Sequence, residues 1–245
     1  MVVVLSPLLY GLGIYGFYVL KGDENLKFHI EGMMGRTNFR DVGESVNQCL
    51  GDQFLKEDRL FRAKRQFSGW SCSSVGAPDK IYSLNHDHKK PRSYYCWQGT
   101  QIKKGIVLNS TRFDDAEFIK NWHEDAHIRE TSCQYLERMM ADLINQEKIL
   151  MHCDAGRDRT GALSALLAGL VLEDEVEFKS LNSALECDYR KSKNLSQSFY
   201  GRIQTFHEDI VSQYRSIELF LLDKCKNISA RSLTEFQKEM KFTKN

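Results

Sequence analysis

The chain carries almost no net charge: 34 basic residues stand against 33 acidic ones, leaving +1 over 245 residues. That balance removes overall electrostatic attraction as a basis for nucleic-acid binding, and no nucleic-acid partner is expected. No two cysteines stand in a Cys-x-x-Cys spacing, which argues against zinc ribbons and thioredoxin-type sites. The seven cysteines, at 49, 72, 96, 133, 153, 187 and 225, are odd in number and irregular in spacing. They read as reduced thiols, mostly buried as small hydrophobes, rather than as a disulfide scaffold. Internal repeats and low-complexity tracts are also missing, while 42% hydrophobic residues suffice for a real core.

The first twenty residues, "MVVVLSPLLYGLGIYGFYVL", have no charge at all. As a helix they match the ~30 Å thickness of a hydrocarbon layer. A cleaved leader would carry basic residues at its start and a small-x-small site at its end; here no Lys or Arg stands at the start and no Ala-x-Ala follows. The expectation is an uncleaved N-terminal membrane anchor over residues 1–20, with a core helix or strand as the alternative. Residues 21–35 read as a polar linker, 36–225 as the main domain and 226–245 as a C-terminal tail.

Within that domain, "RTNFRDVG" and "RLFRA" look like short strand-like pieces between turns. Residues 64–104, rich in Ser, Gly, Lys, His and aromatics, predict an irregular excursion or a short hairpin around "SYYCWQG", and "GIVLNS" predicts a strand. From Ala126 to Gln146, apolar residues recur at helical spacing. "KILMHC" predicts a buried strand and "TGALSALLAGLVLE" a helix that is apolar nearly all round. Phe178–Tyr189 and Ser198 to about Leu222 predict further helices. A buried strand between helices points to an α/β fold with a largely parallel central sheet.

The stretch "ILMHCDAGRDRTGALSALL", residues 149–167, concentrates the chemistry. An apolar strand ends at His152 and Cys153; six positions after Cys153, Arg159 opens an apolar helix. Ligands of open α/β sheets sit beyond the carboxyl ends of strands. A helix start there offers free N–H groups and the positive end of a dipole. A loop over Asp154, Ala155, Gly156, Arg157 and Asp158 can wrap an anion with successive amides, Gly156 permitting the tight curl. Arg159 adds a planar fork for two phosphate oxygens. The same field favours the ionised form of a thiol at the base of the loop. Such a thiolate is a nucleophile aimed at phosphorus, giving a phosphocysteine that water then splits.

"HCDAGRDRTG" resembles the signature of the cysteine-dependent protein tyrosine phosphatase superfamily: His-Cys, five residues, Arg, then Thr or Ser and Gly. Its form is similar to that of atypical dual-specificity and bacterial tyrosine or lipid phosphatases, and "TNFRDVG", "RLFRA" and "IVLN" resemble upstream segments of that bacterial-type group. The resemblance implies Cys153 as nucleophile and Arg159 as phosphate clamp and stabiliser of the transition state. It implies His152 as the residue orienting the loop, Thr160 as a hydroxyl bonded to the thiolate, and the backbone of Asp154 to Arg159 as the cradle. No cofactor or metal is implied.

A proton donor for the leaving group is less sharply specified. Asp158 resembles the acid of related phosphatases whose loops end in Asp-Arg; its alternative is a brace for Arg157 or the loop. Asp114, Asp115 and Asp125 are further candidates, 39, 38 and 28 positions before Cys153. Arg157 at the pocket mouth, with a membrane anchor, would suit phosphoinositides. Phosphotyrosine proteins, extending to phosphoserine and phosphothreonine, are the rival substrates. A reduced thiol suits a catalytic domain on the cytosolic side, although sequons at Asn109, Asn194 and Asn227 leave a luminal one open. Two competing classes remain. One is a zinc metalloprotease through His123, Glu124 and His127, a short motif in solvated surroundings with no third ligand. The other is a phosphate-binding adaptor without turnover.

Overall fold

A computed structural model describes residues 38–64, 75–84, 126–153, 155–193 and 195–243, apart from the side chains of 127 and 128. Strand β1 (Arg40–Asp41) leads directly into helix α1 (Val42–Leu50), whose start is capped by the Asp41 carboxylate accepting from Glu44 N–H. Strands β2 (Leu60–Lys64) and β3 (Lys80–Ser83) precede the long helix α2 (Ala126–Ile144). Strand β4 (Ile149–Cys153) then feeds helix α3 (Asp158–Leu172). Helices α4 (Phe178–Arg190), α5 (Arg202–Tyr214), α6 (Ile217–Lys224) and α7 (Ala230–Met240) complete the chain.

Among the described residues the strands form one sheet in the order β1-β2-β4-β3. β4 runs parallel to both β2 and β3, and only β1 is antiparallel. This is the expected α/β architecture, with the expected strand at its centre. All five residues of β4 are buried, as befits a strand covered on both faces. All fifteen residues of α3 are buried as well. Each fully buried Leu or Val there contributes about 1.5–3 kcal/mol, so α3 is the spine of the core. Gly169 lets it approach α6, because a Cβ there would lie 2.4 Å from Ile217 Cδ1.

Several expectations need correction. Of "RTNFRDVG", only Arg40–Asp41 is strand, and Val42 and Gly43 already open helix α1, since Asp41 supplies the cap that starts it. β3 lies inside the stretch expected to be irregular; its four residues are too few to show alternation. The helix expected over Ser198–Leu222 is broken in two. Arg215 takes a positive φ of 73°, and Ser216 caps a new helix through a bond from Leu219 N–H. The Glu173 carboxylate adds bonds from Ile217 and Glu218 N–H. The tail is no tail: α7 buries Leu233, Phe236 and Met240, and Phe242 N–H donates to Phe54 O.

The cysteine reading is overturned most clearly. Cys49 at the end of α1 is bonded to Cys187 in α4, and Cys133 in α2 to Cys225 just past α6. Partners 138 and 92 residues apart are chosen by helix packing, which spacing does not reveal. Disulfides persist in oxidising compartments, so reduced cysteines no longer support a cytosolic placement. The expected anchor (1–20), linker (21–35), "SYYCWQG" hairpin and "GIVLNS" strand lie outside the described residues. Among the described residues no helix is long and apolar enough to cross a membrane.

Candidate active site

Three parallel strands end together at one edge of the sheet, and Cys153 is the last residue of the middle one, paired with Lys64 of β2. It is 2% exposed and is the free cysteine among the five described. His152, fully buried, offers its carbonyl to Leu84 N–H at 2.7 Å, which fixes the end of β3 beside it.

The connection from Cys153 to α3 curls back over β2. Gly156 adopts φ +66°, and a Cβ there would lie 2.4 Å from Ala63 O. Both the left-handed backbone and the close approach require glycine. Arg157 occupies the cap position of α3 and makes no side-chain cap bond, so no side chain of its own covers the first amides of the helix. Ala155 and the two residues after it are thus arranged around a helix start at the carboxyl end of the sheet. Asp154 lies outside the described residues.

Arg159, 3% exposed, donates through Nη1 to Leu84 O at 2.7 Å. Its guanidinium is thereby held by the segment that follows β3. Thr160 is fully buried, and its hydroxyl makes no hydrogen bond among the described residues, so the expected bond to the Cys153 sulfur is not formed here. Asp158 is 1% exposed and accepts a 2.5 Å bond from Tyr189 OH. Arg157 and Arg202 stand 3.7 Å and 3.9 Å from its carboxylate. These contacts tie the Asp158 carboxylate to α4 and α5 as well as to the loop. Burial, with the Asp158 charge next in effect, pushes the Tyr189 phenol well above its usual range, so it remains a donor.

Arg157 and Arg202 also share one aromatic ring. Their guanidinium carbons lie 5.1 Å and 3.8 Å from the Phe199 centroid. Two cations and a phenyl ring therefore border the loop, where sequence reading identified Arg157 alone. Phe199 and Arg202 fall in a segment read as uniform helix; the signal for them was Gly201, which takes φ +83° and starts α5.

Behind the loop lies a charged cluster that sequence reading missed altogether. Arg62, in the middle of β2, is fully buried and ion-paired with Asp188 of α4. Asp188 also receives Arg40 Nε at 2.7 Å and Ser45 Oγ at 2.7 Å. Burial alone would raise the Asp188 carboxyl, but Arg40 and Arg62 outweigh it and hold it below the usual carboxylate range. Burial, then the Arg40 charge, lowers Arg62 to about 10, with Asp188 and Cys153 opposing. It is still a cation at neutral pH. The available signal was an arginine set among the apolar residues of "RLFRA".

Asp114, Asp115, Asp125, His123 and Glu124 lie outside the described residues, as does the side chain of His127. Among the described residues no group of three metal-binding side chains comes together. A cavity of about 340 Å³ opens between α2 and the residues after α6, lined by Arg129, Glu130, Glu137, Lys224 and Asn227 beside the Cys133–Cys225 bridge. Among the described candidates, His152, Cys153, Asp158, Arg159 and Thr160 are not part of its lining.

No curated protein matches the chain. The family model described as "tyrosine phosphatase family" matches residues 108–241, more than half of the chain, and includes the loop, α3 and the helices after it. With the thiol, the glycine curl and the arginine at the sheet edge, that match makes the chain a member of the cysteine-dependent tyrosine phosphatase superfamily.

Proposed function

We propose that the chain hydrolyses phosphate monoesters on phosphotyrosine proteins, extending to phosphoserine and phosphothreonine, with Cys153 as nucleophile. The Cys153 sulfur attacks phosphorus, the ester P–O bond breaks, and the leaving oxygen takes a proton. Water then attacks the phosphocysteine, releasing inorganic phosphate and restoring the thiolate. Arg159 and the amides of residues 154–159 neutralise the charge that grows on the equatorial oxygens. The observation carrying this reading is Cys153 itself: a free, buried sulfur at the end of the central parallel strand, just before a helix whose cap residue, Arg157, makes no side-chain cap bond.

Cys153→Ser is expected to abolish turnover of p-nitrophenyl phosphate while retaining tungstate binding, with a chelator present throughout. Undiminished turnover in that variant refutes the phosphocysteine. Phosphoinositides form the second reading, favoured by the paired cations Arg157 and Arg202 at the rim; a panel of phosphopeptides and phosphoinositides separates the two. The two disulfides support maturation in an oxidising compartment, and the uncharged residues 1–20 support a membrane tether on that side.

A further inference from the structure

Three consecutive carbonyls of the signature loop are gripped from outside. Asn38 Nδ2 donates to Ala155 O at 2.7 Å. Arg62 Nη2 donates to Gly156 O at 2.9 Å and to Arg157 O at 3.1 Å. In a trans peptide the carbonyl and the following N–H point in opposite directions, and there is no cis peptide bond among the described residues. Pulling these three carbonyls outward therefore turns the N–H groups of Gly156, Arg157 and Asp158 to the other side of the loop.

We propose that Asn38 and Arg62 are positioning residues for the oxyanion cradle, and that the Asp188 cluster holds Arg62 in place to do this. The inference rests on the phosphatase reading of the loop and deepens it. Neither side chain touches substrate; both act through peptide planes. A guanidinium bonded to a carbonyl also polarises that peptide and strengthens its N–H as a donor.

The grip is itself built. Arg62 spans two jobs at once: Nη1 pairs with Asp188 and Nη2 reaches the loop. Only a planar fork does both; an ammonium is a single point of charge. Asp188 is fixed by Arg40 Nε and Ser45 Oγ, and Arg40 Nη2 also donates to Asp188 O at 2.7 Å. Asn38 is anchored in turn, its side-chain oxygen Oδ1 accepting Lys193 N–H at 2.7 Å. The short segments "TNFRDVG" and "RLFRA" therefore converge on the loop despite lying about a hundred residues upstream, at separations of 117 and 94.

The test compares wild type, Asn38→Ala, Arg62→Lys and Cys153→Ser in the full chain. Tungstate affinity is measured by calorimetry, kcat and KM with p-nitrophenyl phosphate, and folding by circular dichroism. Arg62→Lys keeps a cation beside Asp188 and guards against simple unfolding; Asn38→Ala alters a site outside the ion cluster. Both variants are expected to bind tungstate about tenfold more weakly, with a matching rise in KM. A purely structural role would reduce the folded fraction and leave the Kd of the folded molecules unchanged. Tungstate affinity within twofold of wild type in folded Asn38→Ala and Arg62→Lys overturns the proposal. Binding does not depend on turnover, so an active Cys153→Ser refutes the nucleophile while the cradle is still judged by tungstate.

Discussion

The two ends of this domain are held together by different means. Around β2, α1 and α4, the interior is ionic: Arg62, Asp188, Arg40 and Ser45 interlock, with the Cys49–Cys187 bridge one residue from Asp188. Around α2, α6 and α7, the interior is apolar, built on Phe220, Leu233 and Phe236, and closed by Cys133–Cys225. The ionic end reaches the signature loop directly, through the bonds from Arg62 to its carbonyls. Buried ion pairs are weak devices for stability, because desolvation cancels most of the attraction. Their value here is directional: a guanidinium can aim two carbonyls, which hydrocarbon cannot.

The sharpest way to break this contrast is Asp188→Ala. It leaves Arg62 buried without its counter-ion and is expected to cost about 3–5 kcal/mol in denaturant unfolding. Activity per folded molecule should fall with it. Replacing each cysteine pair by alanines gives the direct comparison. Each loss is expected to cost about 2–5 kcal/mol. Removing Cys49–Cys187 should also raise KM for p-nitrophenyl phosphate, whereas removing Cys133–Cys225 should leave KM unchanged; equal effects on KM would erase the distinction.

The smallest effect is a pH dependence at the junction of α3 and α6. Burial raises the Glu173 carboxyl to about 7, even though Ile217 and Glu218 N–H groups favour its charged form. Unfolded, it ionises near its ordinary 4.5. Between those values the folded state holds a proton that the unfolded state releases, so this group's contribution falls as pH rises. Glu173→Gln should remove that fall. Unfolding measured from pH 4.5 to 8 should show the variant gaining on wild type with rising pH, and a constant gap would refute the assignment.

Local patterns carried the sequence reading a long way. The apolar run ending at Cys153 and the helix from Asp158 were legible because strand, loop and helix lie within twenty-four residues. The fork Arg62–Asp188 was not, because its partners are 126 residues apart and a lone charge in a strand normally signals an exposed face. The disulfides failed for the same reason: pairing is a property of packed helices, not of spacing. The single helix expected after Ser198 failed because periodicity continues across Arg215, where only the backbone turns. Asp158 was singled out, but its contacts Tyr189 and Arg202 come from other helices.

Enclosure of α3 on every side has one more consequence. A helix that cannot roll or slide transmits its rigidity to whatever precedes it, so the turn before it inherits the stiffness of the molecule's centre. Any difference in which phosphoester fits is then expected to arise at the border, where Arg202 stacks on Phe199.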